Sequence, residues 1–324
     1  MEVASSFAEL LADASDVTTV DSVGKSGAPL QRMRIDGQAY VVKYLDADAD
    51  WILRAAEVDE PPTVELWRRG ILGRLPACVN QAIVGVAQEG SVSAILMHDV
   101  EEWLVPSGDA PVTLDQHLRF LDHMAALHAE FWETDADIDV VSLRARYLEL
   151  SPHTAAREKA LGSTHPVPRL IAEGWDLLSE VAPRAAAVVT PLATDPGPLL
   201  DALAGTPQTF VHGDWKLDNL GTDPEQRTIL LDWAMPGRAP ALSDLAWYLA
   251  INCRRLPHSK ESAIGAYRRA LEQHGVDTEP WWDHQLALCL LGGLVLFGWD
   301  KAFGGYDDEL MWWEARAVEA AELL

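Results

Sequence analysis

Alternation of apolar and polar residues predicts antiparallel strands in the first third of the chain. Segments 30–35 and 39–45 show this alternation and flank Asp36-Gly37, a residue pair typical of tight hairpin turns. Two further segments, AIVGVAQ and SVSAILMHDV, repeat the arrangement on either side of a second glycine. We therefore expect a small antiparallel sheet within residues 1–97.

One helix is expected to accompany this sheet. It follows a proline pair, because proline is tolerated in the first turn of a helix, and continues through TVELWRRGIL. Val64, Trp67 and Ile71 fall on one stripe of this helix. Their spacing predicts that the stripe is buried.

Helical spacing dominates the remainder of the chain. Thr113 and Gln116 form the capping signature of a helix N-terminus. Apolar residues then recur with helical spacing at positions 114, 118, 121, 125 and 132. We expect a connecting segment over 98–106 and a larger, mainly helical domain over 107–324.

Two short strands, TFVHGD and TILLDWA, are predicted to interrupt the helical part. Asp214 and Asn219 follow the first of them on a loop, the segment TDPEQ predicts a turn, and the second strand leads to Asp232. A hairpin of this kind brings Asn219 and Asp232 to the same place. Their oxygens, with those of Asp214, are the ligand type that Mg²⁺ prefers, although a solvated hairpin would also carry scattered polar residues.

Composition narrows the class of ligand. The 50 acidic residues outnumber the 25 basic ones, for a formal charge of −25. Such a chain repels nucleic acid and anionic membranes and attracts cationic small molecules, although a solubility surface explains the same charge. No protein partner is indicated.

Location is inferred from the cysteines and the apolar segments. The three cysteines, Cys78, Cys253 and Cys289, are far apart and fit a reducing cytoplasm. The first residues lack the pattern of a signal peptide. The longest apolar segment, 286–299, is 14 residues long, which fits a buried core helix better than a membrane span.

The loop and its following strand resemble the aminoglycoside phosphotransferase family of protein-kinase-like small-molecule kinases. The matching residues are His212, Gly213, Asp214 and Asn219, followed by Asp232 on the next strand. The resemblance implies an α+β, two-lobed protein-kinase-like fold with a small antiparallel-sheet N-terminal lobe and a larger, mainly helical C-terminal lobe. It implies that Asp214 is the base or hydroxyl-orienting residue and that Asn219 and Asp232 hold Mg²⁺.

The resemblance also assigns a lysine in the N-terminal lobe. Lys43 in YVVKYL matches the strand lysine that contacts the phosphates of ATP. A helix glutamate is expected to hold that lysine. Glu65 is the preferred candidate, with Glu57 and Glu60 as rivals because the phase of the helix is not fixed by the sequence.

The nucleotide base is expected to bind at the connection between the lobes. The segment ILMHDV resembles the family hinge, where backbone groups of His98 and Val100 would contact the adenine edge, with the His98 side chain facing solvent. The glycine-rich loop that should precede the lysine is represented only by Gly24 and Gly27. This departure concerns the nucleotide contacts more than the fold.

A protein kinase is disfavoured by spacing. Lys216 stands two residues after Asp214, as in protein kinases, and could contact the γ-phosphate. However, Asp232 and Asp244 are only twelve residues apart, which leaves no room for a peptide-docking activation segment. Asp244 is expected to brace the loop by accepting backbone hydrogen bonds, and His128 is expected to be a packing residue.

The acceptor site is expected in the aromatic C-terminal helices. Asp300 and the adjacent Trp299 are the best candidates for acceptor contact. Further acidic residues in this part of the chain favour a cationic acceptor, namely Asp283, Asp307, Asp308 and Glu314.

The sequence thus predicts ATP-dependent transfer of the γ-phosphoryl group to a hydroxyl of a small molecule. An aminoglycoside or amino sugar is the favoured acceptor. Two alternatives stay open, a choline-like amino-alcohol kinase and a catalytically silent nucleotide-binding regulator.

Overall fold

An antiparallel sheet occupies the N-terminal part of the protein, and helices make up most of the rest. The computed structural model describes residues 2–20, 28–46, 48–134 and 137–324. Strands β1 to β10 are Ser15–Val20, Leu30–Ile35, Gln38–Asp46, Val79–Asn80, Ile83–Glu89, Val92–His98, Thr209–Val211, Leu220–Thr222, Thr228–Leu230 and Gly237–Ala239. Helices α1 to α13 are Phe7–Leu10, Trp51–Ala56, Pro62–Arg68, Leu114–Glu130, Leu143–Leu148, Pro152–Ala160, Pro166–Val181, Pro183–Thr194, Gly197–Ala204, Leu242–Ile251, Lys260–Gln273, Trp282–Ala302 and Asp308–Ala320.

The N-terminal sheet has five strands in the order β1-β2-β3-β6-β5, and all neighbours are antiparallel. Asp36 and Gly37 form the predicted turn between β2 and β3, with φ angles of 50° and 78°. Asp and Gly tolerate this left-handed backbone. Both predicted hairpins are confirmed.

The two faces of this sheet are buried against different neighbours. Val42 and Leu96 pack on one face with Phe7 and other residues near the N-terminus. Leu45 and Ile95 belong to the other face, which joins the main core. The period-2 pattern of the sequence therefore corresponds to a sheet buried on both sides.

The helical part is organised around α12, which packs against α7, α8, α10 and α13. By length and composition α12 could cross a membrane, yet 78% of its most apolar window is buried inside the protein. It is therefore a core helix, as predicted. Its close packing depends on Gly292, where a Cβ atom would lie 2.3 Å from the hydroxyl oxygen of Tyr147.

Local details of two predicted helices are wrong. Helix α3 ends at Arg68, and a separate 3₁₀ turn follows over Ile71–Arg74. Helix α4 begins at the predicted Thr113 cap, but Leu114 and Leu118 on its predicted stripe are 49% and 39% exposed. The buried face of α4 is therefore rotated from the predicted stripe, and it includes polar residues such as His117. Elements α1, β1 and α2 were not predicted.

Four short strands position the polar loop. Strand β7 pairs with β10, while β8 and β9 form a hairpin whose second strand also pairs with β4. The two strands predicted in this region are β7 and β9. Between Asp232 and α10 the described chain contains only β10, so a long activation segment is absent there, in agreement with the spacing argument.

Candidate active site

The β8–β9 hairpin brings Asn219 and Asp232 together. Leu220 pairs with Leu230, and the amide of Leu231 donates to the carbonyl oxygen of Asn219 at 3.0 Å. Asp232 follows directly in a left-handed conformation with a φ of 63°. The predicted hairpin geometry is therefore confirmed.

Asp214 is buried and held by three side chains. Its Oδ1 accepts from the indole Nε1 of Trp247 at 3.1 Å, and its Oδ2 accepts from Lys216 Nζ at 2.5 Å and Asn219 Nδ2 at 2.9 Å. Asn219 also donates to the Asp214 carbonyl oxygen at 3.0 Å. These bonds fix the carboxylate orientation, which a positioned base requires.

Asp244 braces the loop through hydrogen bonds to its backbone, as predicted. Its two oxygens accept from the backbone amides of His212 at 2.8 Å and Gly213 at 2.9 Å. Burial alone would raise the pKa of Asp244, but hydrogen bonding from His128 and the charge of Arg146 outweigh it and hold the pKa at about 2. The brace is therefore ionised at neutral pH.

The glycine of the loop is required by close packing. Gly213 has a φ of 85°, and a Cβ atom there would lie 1.9 Å from the carbonyl oxygen of Met235. The guanidinium of Arg146 fills the adjacent space, 3.7 Å from Asp244 and stacked over the ring of Trp247 at 5.0 Å. Arg146 was not predicted, because an arginine on a short helix carries no signal that distinguishes it from a surface residue.

Two buried histidines support the loop. His212 packs edge-on against Trp233, and its Nδ1 accepts from the backbone amide of Asp214 at 3.1 Å. Burial lowers its pKa, so the ring is neutral. His128 contacts Tyr267 at 2.6 Å and Asp244 at 3.3 Å. The packing role predicted for His128 is confirmed.

Lys43 pairs with Asp232, and the predicted glutamate pairing is not present. The Nζ of Lys43 lies 2.8 Å from Asp232 Oδ1. Glu65 instead forms salt bridges with two arginines. Arg68, three residues later, is the last residue of the same helix, and Arg69 directly follows it. Arginines at these positions capture the carboxylate locally.

The rival glutamates are also elsewhere. Glu60 pairs with Arg68, and Glu57 ends α2 in a left-handed conformation on the surface. A different acid, Asp50, lines a small cavity together with Lys43 and Asp232. Asp50 caps α2 by accepting from the amide of Ile52 at 2.8 Å. Its capping position before an apolar run is the signal by which sequence reasoning could have found it.

The charges of the site reinforce one another. Burial alone would raise the pKa of Asp232, but the charges of Lys43 and Lys216 outweigh it and hold the pKa at about 2. Burial alone would lower the pKa of Lys216, but the charges of Asp214 and Asp232 outweigh it and raise the pKa. Lys216 is therefore cationic beside these carboxylates, and Lys43 forms an ion pair with Asp232, an arrangement that suits a site for phosphate and a cation.

His98 and Val100 line a cavity next to Lys43, at the end of β6. The His98 side chain is exposed, as expected, and stacks on Tyr40 at 5.0 Å. The His98 amide donates to the carbonyl oxygen of Ala82 at 2.9 Å, so this amide is already engaged within the protein. Gly24 and Gly27 lie outside the described residues.

Two cavities meet at this polar cluster. The first, of about 280 Å³, extends from Lys43 to the end of β6. The second, of about 310 Å³, is lined by Asp214 and by aromatic residues of the helical part. Lys216 and Asp232 line both cavities, while Asp214 lines the second and Asn219 the first.

A family model described as the phosphotransferase enzyme family matches residues 36–282. The match includes Lys43, Lys216, Asp232 and the Asp244 brace. The chain belongs to the phosphotransferase enzyme family. A search of curated protein sequences gave no significant match.

The fold of this chain is similar to that of solved phosphotransferase structures. The choline kinase LicA from Streptococcus pneumoniae is 13% identical, with 98% of this chain and 96% of that chain covered and a TM-score of 0.51. LicA in complex with AMP is 12% identical, with coverages of 94% and 92% and a TM-score of 0.51. An aminoglycoside-3'-phosphotransferase of type VIII is 22% identical, with coverages of 88% and 94% and a TM-score of 0.49. The α+β, protein-kinase-like fold expected from the sequence is thus confirmed.

Only some of the residues that the sequence predicts for acceptor binding lie together in the structure of this phosphotransferase. Trp299 and Asp300 both line the second cavity. The other acidic residues lie elsewhere: Asp283 and Asp308 are exposed, and Asp307 caps α13. Glu314 is buried and accepts from Ala185 and Tyr306.

One acid of the second cavity was missed by the sequence reasoning. Glu149 directly follows α5, is 6% exposed and lines the cavity wall. Burial, with a smaller contribution from the charge of Asp214, raises its pKa to about 8. No motif marks this residue, because its position depends on how α5 packs beside the loop that carries Asp214.

Proposed function

We propose that this protein transfers the γ-phosphoryl group of ATP to a hydroxyl group of a small, amino-bearing molecule, with Mg²⁺ as cofactor. The observation that carries the proposal is the junction of the two cavities at Lys216 and Asp232, with Asp214 on one side and Lys43 on the other. Such a junction allows donor and acceptor to meet in line, which supplies most of the catalysis in phosphoryl transfer.

The nucleotide is assigned to the first cavity. Lys43 contacts its phosphates, and backbone groups of His98 and Val100 meet the adenine edge. The fold shared with a choline kinase crystallised with AMP supports nucleotide binding. Asp50 takes the place of the helix glutamate as a carboxylate near Lys43.

Asn219 and Asp232 are the residues that would hold Mg²⁺. The donor set fits the ion, because an amide oxygen and a carboxylate oxygen are hard ligands, and Mg²⁺ in kinases completes its shell with phosphate oxygens and water. When bound, the ion neutralises charge on the β- and γ-phosphates.

The acceptor hydroxyl is assigned to Asp214. As the bond between the acceptor oxygen and the γ-phosphorus forms, the bond from that phosphorus to the β,γ-bridging oxygen breaks and ADP leaves. Asp214 accepts the hydroxyl proton and passes it to solvent. Lys216 lies beside the transferred group, where its charge stabilises the equatorial oxygens. Trp247 and Asn219 keep the carboxylate oriented during the step.

An amino group on the acceptor is favoured by charge. The formal charge of −25 attracts cations, and Asp300 stands at the acceptor cavity. The need for ATP agrees with a cytoplasmic location, which we propose as well.

Mass spectrometry of products tests the function. The protein is incubated with ATP, Mg²⁺ and a panel of aminoglycosides, amino sugars and amino alcohols. A mass gain of one phosphoryl group on an acceptor, absent when a non-hydrolysable ATP analogue is used, is the expected result. Nucleotide binding without transfer to any acceptor, or slow hydrolysis alone, would instead favour the nucleotide-binding regulator.

A further inference from the structure

The acceptor cavity is lined mainly by apolar side chains. Five of its residues carry aromatic rings, namely Trp51, Trp247, Phe297, Trp299 and Phe303. Aliphatic side chains from α2, α7 and α10 complete the walls. A ligand with many hydroxyl and amino groups would leave most of them without partners here, and each such buried group costs free energy.

Only two charged groups of the cavity are left for recognition. Asp214, Lys216 and Asp232 belong to the transfer site described above. Asp300 is 45% exposed at its side chain and lies 3.3 Å from Lys301, so its charge is partly compensated. Glu149 is the remaining one.

Glu149 is a buried acceptor without a partner. It is 6% exposed, and its Oε2 receives no hydrogen bond from any described residue. Arg146, three residues earlier, lies near Asp244, the Met235 carbonyl oxygen and the Trp247 ring, and the structure shows no side-chain hydrogen bond between it and Glu149. Buried carboxyl groups are normally paired or hydrogen-bonded, and Glu149 lines the cavity, so a ligand that enters the cavity is the candidate partner of its carboxyl group.

We propose, on the basis of the phosphotransferase function above, that the acceptor is a compact amine with an apolar body and a single N–H-bearing ammonium group, which donates to Glu149 while the hydroxyl meets Asp214. The apolar body packs on the aromatic walls, and the cation gains from the ring faces of the same walls. As the cation binds, its charge favours ionisation of Glu149, whose proton passes to solvent. The N–H matters because the resulting carboxylate accepts a hydrogen bond, and a fully methylated ammonium has no donor.

A matched series of probes tests this proposal. The probes are 4-(aminomethyl)benzyl alcohol, its dimethylamino and trimethylammonium analogues, and the neutral 4-methylbenzyl alcohol. The dimethylamino compound keeps one N–H at nearly the size of the trimethylammonium compound, so it separates loss of the donor from steric exclusion. Hygromycin B, the aminoglycoside-kinase ligand of a related structure, serves as the polar contrast.

Each probe is titrated calorimetrically into wild-type protein and Glu149→Gln, both saturated with an ATP analogue and Mg²⁺. The wild type should bind the two N–H amines about 10- to 100-fold more tightly than the trimethylammonium and neutral probes, as expected for a charge-assisted hydrogen bond. Glu149→Gln should lose this preference and bind the neutral alcohol within about threefold of wild type. Asp283→Asn, which removes an exposed carboxylate outside this cavity, should change the preference little.

Several outcomes would overturn the proposal. They are equal binding of amine and neutral alcohol, equal binding of the dimethylamino and trimethylammonium probes, tighter binding of hygromycin B, or no binding of any probe. Unchanged affinity of Glu149→Gln for the ATP analogue shows that the variant is folded. If the amines bind with the predicted preference but receive no phosphoryl group from ATP, the proposed function fails while the recognition by Glu149 stands.

Discussion

The catalytic loop and the acceptor cavity are built in opposite ways. Asp214, Asn219 and Asp232 lie within nineteen residues of chain, on one loop and one hairpin. The walls of the acceptor cavity come from α2, the end of α5, α7, α10 and α12, which are spread over about 250 residues. Residues that carry chemistry are thus local in the sequence, while residues that would select the acceptor are dispersed.

The two regions also differ in how their carboxylate oxygens are hydrogen-bonded. Around the loop, both Asp214 oxygens and both Asp244 oxygens accept hydrogen bonds from the protein. In the cavity wall, Glu149 Oε2 receives none from the described residues. The protein itself therefore orients the Asp214 and Asp244 carboxylates, while His212 Nε2 and Trp215 Nε1 of the same loop, like Glu149 Oε2, have no hydrogen-bond partner among the described residues.

The largest expected effect is on turnover and comes from a substitution in the loop. Asp214→Asn keeps the size of the side chain but cannot accept the hydroxyl proton. Turnover of the true acceptor should fall by about 10²- to 10⁴-fold, while affinity for ATP changes only a few-fold. Steady-state kinetics with a nucleotide-binding measurement on the same preparation checks both values. Wild-type turnover in this variant would show that Asp214 is not the base.

Sequence reasoning succeeded where chemistry and backbone are coupled locally. The loop motif, the Asp36-Gly37 turn and the Asp244 brace could be predicted because their spacing is set by a hairpin or a single turn. Glu65 was assigned wrongly because a helix phase had to be guessed, and neighbouring arginines captured the carboxylate. Glu149 was missed because only packing between distant elements places it.

The second prediction concerns the Mg²⁺ dependence of nucleotide binding in the first cavity. Asp232→Ala removes a carboxylate that pairs with Lys43 and that we propose as a Mg²⁺ ligand. Affinity for an ATP analogue should fall about tenfold or more in the presence of Mg²⁺, as for other charged hydrogen-bonding groups, and much less in EDTA. Asp300→Ala is the matched control, since it removes a carboxylate from the other cavity only. Equal affinities of the Asp232 variant and wild type in Mg²⁺ would remove the metal role.

A smaller effect is expected on the KM for ATP, and it distinguishes the role of Asp50 from that of Glu65. Asp50→Asn keeps the cap of α2, because asparagine caps helices as well as aspartate, but removes the charge near Lys43. The KM for ATP should rise about two- to fivefold. Glu65→Gln should leave it unchanged, since that carboxylate binds Arg68 and Arg69. A reversed order of the two variants would restore the glutamate pairing expected from the sequence.

The last prediction concerns stability and comes from the cavity wall. Burial raises the pKa of Glu149 from 4.5 to about 8, so the folded state binds more protons than the unfolded state between these pH values. This difference makes the contribution of Glu149 to the free energy of unfolding fall as pH rises from about 5 to 8 and then stay constant. Glu149→Gln has no such group, and its thermal midpoint should match that of wild type near pH 5 and exceed it by about 5–8 °C at pH 8. Scanning calorimetry across this range, with Asp300→Asn as an exposed control, measures the difference. A constant offset at every pH would mean that Glu149 is paired in the folded protein, and the cavity wall would then be complete without a ligand.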